Sequence, residues 1–206
     1  MTSHKFVLVY VCLLWLTATY LPLNAQYSQA DNDSISGSSS ATQERPQDDS
    51  ARQSGVDLSP LAALTQTVST LFGPLLAQAI RSTRDHVYPH GHPMPVALRR
   101  QLSPFFPRTV LEKVRYSTEW DPAEDPLPSL FLGNNTKSAM TLGDVILFRD
   151  TEGVADPLLW AHELTHVMQY EQLGIPAFAT RYLTQGWELE AEAMAKADAI
   201  GHQLSP

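Results

Sequence analysis

The sequence predicts one α+β domain, in which a short sheet packs against a buried helix that carries the chemistry. Residues 139–149 crowd branched and aromatic apolar side chains together, as a buried strand does. Residues 156–173 are apolar on most sides, as a buried helix is. The segment 57–206 comprises about 150 residues, which is enough for one hydrophobic core.

The first 25 residues have the pattern of a secretory signal. Lys5 supplies the positive charge, Phe6–Leu16 forms a short apolar run, and a small residue stands at Ala25. An uncleaved membrane anchor is the alternative, but a membrane span needs about 20 apolar residues. We therefore expect removal of residues 1–25 and export to the periplasm or the extracellular space.

The composition excludes several classes of protein. Residues 26–56 are rich in Ser, Gln, Asp and Gly, so we interpret them as a disordered linker. The single cysteine, Cys12, lies inside the predicted signal, so the mature chain has no disulfide. The formal net charge of −8 argues against nucleic acid as a partner, because phosphates are bound by Lys and Arg. We expect no membrane contact after signal cleavage.

The predicted domain begins with a helix over Leu58–Ile80, a range that contains no charged residue. Polar Thr and Gln side chains and the Gly73-Pro74 pair argue against a membrane span. We expect this helix to pack on its own domain; a pro-segment over the active site and a partner-binding helix are the alternatives. Its apolar residues recur at helical spacing and comprise Leu61, Leu64, Val68, Leu71, Phe72 and Leu75.

The sequence in the middle of the domain predicts two helices and two strands. Prolines separate short helices at Pro95–Leu102 and Pro107–Val114. Tyr116–Leu132 begins as a strand and continues as a proline-broken loop. Ala139–Arg149 is the clearest strand of the sequence.

Three helices are predicted after this strand. Asp156 is a good N-cap residue and Pro157 suits the first helical position, so the decisive helix begins there and ends near Gly174. Two further helices are expected at Pro176–Leu183 and Trp187–His202, with Gly186 between them.

The decisive helix carries the motif His162-Glu163-Leu164-Thr165-His166. Four residues turn a helix by about 400°, so both imidazoles lie on one face, one turn apart. Two nitrogens at that spacing can share one Zn²⁺. Glu163 lies about 100° round the helix, where it can accept a proton from metal-bound water.

A catalytic zinc needs three protein ligands and an open position. Because the mature chain lacks cysteine, we expect the third ligand to be a carboxylate of the last helix. Glu188 and Glu192 share one face of that helix, whereas Glu190 lies on the other side. We favour Glu188 as the ligand, with Glu190 as the next candidate, and expect Glu192 to hold a ligand imidazole.

The motif and the later E-x-x-A-E segment resemble the gluzincin pattern of thermolysin-like zinc peptidases, with Glu192 where Asp is usual. Residues 94–170 are similar to a bacterial domain, the extracellular contractile-injection-system core domain, which is regarded as a metallopeptidase. These resemblances imply a zincin-like fold and a bound zinc ion. That domain tends to carry a histidine where this chain has Tyr116–Thr118. The residues shared with it are Pro95, Leu98, Arg99, Leu102, Phe106, Val110, Val114, Arg115, Ala139, Thr141, Gly143, Ile146, Phe148, Leu159, Ala161 to Val167, and Gln169.

We therefore expect a secreted zinc metallopeptidase that acts on a peptide or protein, peptidoglycan peptides included. Zinc on His162, His166 and Glu188 would activate water, and Glu163 would accept its proton. The strand 139–149 is the candidate edge of the substrate cleft. The alternative is a non-catalytic, zinc-stabilised binding or assembly module of an exported surface or injection system. The substrate and the oligomeric state stay open.

Two weaker sets of candidates remain. One is a histidine-rich segment, which we interpret as a solvated loop, with a second metal site as the alternative. The other is the residue that stabilises the oxyanion, for which three side chains are candidates. The first set is His86, His90 and His92, and the second is Tyr170, Tyr182 and His202.

Overall fold

The computed structural model describes residues 59–121, 123–133 and 137–204. The chain divides into two compact units at residue 61, and the fold described here is that of residues 62–206. The predicted signal, residues 1–25, and the predicted linker, residues 26–56, lie outside the described residues. Within the described ranges, no helix combines the length and the apolar character needed to cross a membrane.

The first helix, α1, spans Ser59–Val87, so it continues beyond the predicted end and passes through Pro74. Ala77 and Ile80 are buried in the core, so α1 packs on its own domain as expected. The predicted apolar stripe is wrong at Leu71 and Leu75, whereas Val68 and Phe72 are half-buried and the side chains of Leu61 and Leu64 lie outside the described residues. Leu71 and Leu75 are 61% and 45% exposed.

Small residues form the buried face of α1 instead. A Cβ on Gly73 would lie 2.7 Å from Thr180 Oγ1, so this position requires glycine for close approach to the neighbouring helix. Ser69 is also buried on this face. A hydrophobic pattern does not detect such a face, because these side chains are small or polar.

A four-stranded sheet forms the centre of the domain, in the order β1-β2-β4-β3. Strands β2 and β4 are parallel, whereas the other two pairs are antiparallel. Strand β3 therefore lies at one edge of the sheet. The strands are β1 (His92–Pro93), β2 (Arg115–Ser117), β3 (Ala139–Leu142) and β4 (Val145–Phe148).

The predicted single strand Ala139–Arg149 is wrong, because the chain reverses at Gly143 and Asp144 to form the β3-β4 hairpin. Gly143 has a φ of 71°, a backbone conformation that residues other than glycine rarely adopt. Arg84 of α1 holds the turn through two hydrogen bonds, of 2.7 Å and 3.0 Å, to the Asp144 carboxylate.

Short helices connect the strands. The two predicted near Pro95 and Pro107 are confirmed as α2 (Val96–Leu102) and α3 (Arg108–Lys113). The predicted proline-broken loop is wrong in part, since it contains helix α4 (Pro126–Phe131). Proline suits the first turn of a helix, where its missing N–H is not needed. Helix α5 (Thr151–Ala155) was not predicted.

The long helix α6 (Pro157–Leu204) contains the three predicted helices and two breaks. Gly174, with φ of 74°, marks the first break. The second lies at Gln185, one residue before the predicted Gly186. We call residues 157–173, 175–184 and 186–204 the first, second and third segments of α6.

Apolar side chains cover both faces of the sheet. Alternate residues of a strand point to opposite faces. Ile146 and Phe148 pack in one buried cluster with Trp160 and Leu164 of α6. Val145 and Leu147 pack in a second cluster with α1 and the second segment of α6. The sheet thus fixes the motif-bearing segment on one side, and the predicted α+β class is confirmed.

Candidate metal centre

The two motif histidines lie side by side on the first segment of α6. The Nε2 atoms of His162 and His166 are 3.1 Å apart, and the rings are nearly perpendicular. Burial of the flanking Trp160, Ala161 and Leu164 fixes this face of the helix. The predicted pairing of the two imidazoles is therefore present in the fold.

Glu190 brings a carboxylate oxygen to the same point from the third segment. Its Oε2 lies 3.3 Å from His162 Nε2 and 3.7 Å from His166 Nε2. The third segment runs antiparallel to the first: Gln169 pairs with Leu189 at one end, and Leu158 lies against Gly201 at the other. This packing closes a group of three potential metal ligands.

Glu190, the second candidate for the third ligand, lies beside the two histidines, whereas Glu188, the favoured candidate, does not. Glu188 instead accepts a hydrogen bond of 3.1 Å from Arg181 Nη2. Glu188 and Glu190 point in different directions, as predicted, but it is Glu190 that points at the histidines. The break at Gln185 sets the rotation of the third segment, which buries Leu189 and turns Glu190 inward.

The geometry of the three donor atoms fits a zinc ion. Ligands about 2.0–2.1 Å from zinc at tetrahedral angles lie roughly 3.3 Å from one another. The distances among the three donor atoms are 3.1, 3.3 and 3.7 Å, which bracket that value. Two imidazoles and one carboxylate are also a donor set of catalytic zinc sites.

A hydrogen-bonded chain fixes the orientation of His166. Gln169 Nε2 donates to the Leu189 carbonyl and to Glu192 Oε2, at 3.1 and 2.9 Å. Its Oε1 must then accept from His166 Nδ1, at 2.8 Å. In the neutral ring the proton therefore resides on Nδ1, so Nε2 is the nitrogen that can bind a metal. Glu192 was expected to hold a ligand imidazole; its carboxylate instead accepts from Gln169, which is the residue that contacts His166.

Sequence reasoning gave Gln169 no role, although a signal was available. Gln169 follows His166 by three residues, a spacing that puts both side chains on one helix face. A polar residue on that face beside a ligand histidine is a candidate partner for the imidazole.

Glu163 is buried, with 4% of its surface exposed, and is held by the sheet. Thr141 Oγ1 of β3 donates to Glu163 Oε2 at 2.6 Å. A buried carboxylate needs such a donor, because an unpaired charge is costly away from water. Thr141 thus positions the residue expected to act as the base, a role that the sequence did not suggest.

Lys137 and Tyr182 contact the other oxygen of Glu190. Lys137 Nζ lies 2.7 Å and Tyr182 Oη 3.2 Å from Oε1. Burial alone would raise the pKa of the Glu190 carboxyl. Hydrogen bonds from His162 and His166 and the charge of Lys137 outweigh it, so this pKa lies well below its ordinary value. Glu190 is therefore a carboxylate at every physiological pH.

The pKa of His166 is displaced in the opposite direction. Burial lowers it, but the hydrogen bond to Glu190 and the charge of Glu163 have a larger combined effect. The pKa of the His166 imidazole therefore lies above its ordinary value of 6.5. A metal at this site displaces a firmly held proton.

A cavity of about 370 Å³ opens beside the metal centre, where two of the three ligands, His162 and Glu190, line it. His162, Glu163, Glu190 and Lys137 form its polar wall. Ala139, the first residue of β3, also lines it, and Leu158, Leu159 and Met194 supply an apolar wall. A substrate in this cavity would contact the candidate base and the candidate metal together.

The histidine-rich segment forms no such centre. His86 Nδ1 pairs with the buried Asp125 at 2.9 Å, and His92 packs on the Tyr116 ring. His90 ends a 3₁₀ turn (Tyr88–His90). Among the described residues, the group around Glu190 is the only set of three or more metal-binding side chains close enough to share one ion.

The three candidates for oxyanion stabilisation separate in the structure. Tyr170 is buried and its ring stacks on Phe178, with 3.7 Å between the ring centroids. His202 is exposed and does not line the cavity. The Tyr182 hydroxyl alone among the three lies at the metal centre, through Glu190.

Comparison with known proteins finds a family match that includes the first part of this site. Residues 93–174 match the family described as the eCIS core domain. The resemblance noted for residues 94–170 is thereby confirmed. The eCIS core match runs from β1 through the first segment of α6 and contains His162 and His166, whereas Glu190 lies beyond it. No curated protein and no solved structure matches the chain.

Proposed function

We propose that the chain is an exported zinc-dependent hydrolase of the zincin-like type, which cleaves peptide bonds. One observation carries this proposal: two imidazole nitrogens and a carboxylate oxygen lie within 4.8 Å of one another, and two of these ligands, His162 and Glu190, line the same cavity as Glu163. A metal site without a base would suit a structural role. A base in reach of the same cavity suits hydrolysis.

The chain's own residues divide the work as follows. His162, His166 and Glu190 would hold zinc, which supplies a Lewis acid that activates water and polarises a carbonyl. Glu163 accepts a proton from the attacking water and later donates it to the leaving amine. Thr141 keeps the Glu163 carboxylate in place during both transfers.

The sheet edge suits an extended peptide substrate. Strand β3 lies at the edge of the sheet, and its first residue borders the cavity. An extended chain could pair with such an edge as an added strand. The apolar wall formed by Leu158, Leu159 and Met194 would receive a side chain of the substrate. Proteins and peptidoglycan peptides both present amides that fit this arrangement.

The eCIS core match favours a second candidate function. It indicates a role in a module related to a bacterial extracellular injection system. In that case zinc on the same three ligands would stabilise an assembly module and no substrate would be cleaved. We prefer the hydrolase to the assembly module because Glu163 lines the cavity, and a purely structural metal site does not require a base.

Metal analysis of the purified protein, combined with a peptide-library cleavage assay, tests the proposal. We expect about one zinc per chain in the wild type and cleavage of at least one library member. The His162→Ala/His166→Ala variant should lose both. His90→Ala is the matched control, since His90 contacts no part of the centre. Full zinc content in the double variant would contradict the site, and zinc without cleavage in the wild type would favour the assembly module.

A further inference from the structure

The two oxygens of Glu190 lie in different surroundings. Oε2 faces the imidazoles of His162 and His166. Oε1 points away from them and accepts hydrogen bonds from Lys137 and Tyr182. Lys137 Nζ also lies 3.3 Å from the Tyr182 hydroxyl, so the two donors approach one oxygen together.

The backbone fixes the position of Lys137. Its N–H donates to the Phe131 carbonyl at the end of α4, at 3.1 Å. The carbonyl of the next residue, Ser138, accepts from Arg149 N at 2.9 Å, which extends the β3-β4 hairpin. The ammonium group therefore reaches Glu190 from a backbone held by hydrogen bonds, and its side chain is only 29% exposed.

This arrangement matters because a carboxylate can bind a metal through one oxygen or through both. A catalytic zinc has three protein ligands and keeps its fourth position open. If Glu190 bound through both oxygens, the second would crowd that position and make the site five-coordinate when water is also bound. The Lys137 ammonium and the Tyr182 hydroxyl oppose binding through both oxygens. If Oε1 turned to the metal, it would lose the strong hydrogen bond that it accepts from a charged donor.

We propose that Lys137 is a positioning residue that restricts Glu190 to one metal-binding oxygen and so keeps a coordination position open for water. This inference rests on the proposed zinc site. Lys137 bonds the oxygen that the histidines do not face, so its contact is compatible with a bound metal. A lysine that merely took the place of a metal ion would instead bond Oε2.

Replacement of zinc by Co²⁺ in the full chain tests the inference, because visible cobalt bands are intense at four-coordinate sites and weaker at five-coordinate ones. Lys137→Met removes the charge and keeps the aliphatic stem. We expect a loss of band intensity in this variant with no loss of cobalt affinity, since a like charge near the metal is removed as well. Lys137→Arg, which keeps a cationic donor, should restore the wild-type spectrum.

Lys113→Met is the matched control. Lys113 pairs with Glu171 away from the cavity, and its side chain is 33% exposed. We expect no change in either reading. An unchanged Lys137→Met spectrum would overturn the inference, whether affinity falls or not, because a lysine that only braces Glu190 affects affinity alone.

Tyr182→Phe keeps the test decisive if Lys137→Met does not fold. It removes the second donor to Oε1, so the band intensity should fall in the same direction by a smaller amount. An unchanged spectrum in that variant would overturn the inference as well. If the wild type binds no cobalt, the proposed zinc site itself is wrong; a four-coordinate wild type with unchanged variants leaves that site intact.

Discussion

Glu190 Oε2 lies 3.3 Å from His162 Nε2, across two segments of one helix that run antiparallel. The breaks at Gly174 and Gln185 make this contact possible, since an unbroken helix would carry the two residues far apart. The metal centre therefore depends on the break geometry as much as on the motif.

Glu190→Gln should remove most of the zinc, because a neutral amide is a poor zinc ligand. Glu188→Gln is the control. Glu188 lies on the same segment as Glu190 and is also paired with a cation, Arg181, but it faces away from the histidines. We expect a loss of zinc affinity greater than about 100-fold in Glu190→Gln and no change in Glu188→Gln. Residues that contact a ligand but not the metal typically change affinity by about 10–100-fold, so a larger loss marks a direct ligand. Zinc affinity measured by chelator competition decides, and zinc loss only in Glu188→Gln would restore the original assignment.

Gln169→Leu should weaken zinc binding by about 10–100-fold without abolishing it. The variant removes the acceptor of the His166 Nδ1 proton, so the ring loses its fixed orientation. Glu192→Gln, which keeps an acceptor oxygen for Gln169, should have a smaller effect. Chelator competition on both variants provides the measurement, and equal affinity of Gln169→Leu and wild type would show that the hydrogen-bonded chain has no influence on the metal.

Thr141→Val should reduce turnover while zinc content stays unchanged. Valine has the shape of threonine but cannot donate, so Glu163 Oε2 loses its hydrogen bond inside the protein. Loss of a buried hydrogen bond to a charged group should lower the free energy of unfolding by about 1.5–3 kcal/mol. Thr141→Ser is the control and should retain both properties. Chemical denaturation and turnover are the two readings; a Thr141→Val protein as stable as the wild type would contradict this role of the hydroxyl.

The HELTH helix and its burial were predictable, because the motif spacing and the apolar flanks are local properties of the sequence. The rotation of the third segment of α6 was not, since it depends on the backbone at Gln185. The role of Thr141 was not predictable for a related reason. Its contact with Glu163 exists only because Gly143 turns the predicted long strand into a hairpin that places β3 at the sheet edge.

Zinc affinity should fall as the pH falls, and the fall should begin above the ordinary histidine pKa of 6.5, because the pKa of His166 is raised. In the metal-free protein the sign is reversed. A raised folded-state pKa contributes stability that is complete below the unfolded pKa and is lost as the pH rises through the folded one. Thermal unfolding with and without zinc, between about pH 6 and pH 8, measures both trends. Zinc affinity that is constant over this range would contradict the assignment of His166 as a ligand.

The measurement that tests the account most directly compares turnover and zinc content in the wild type and in Glu163→Gln. Glutamine keeps the shape of the side chain and can still accept from Thr141, but it cannot take a proton. We expect full zinc content and a loss of turnover of about 10²–10⁴-fold, the usual contribution of a positioned base. Equal turnover in the two proteins, at equal zinc content, would contradict the role of Glu163 and with it the proposed mechanism.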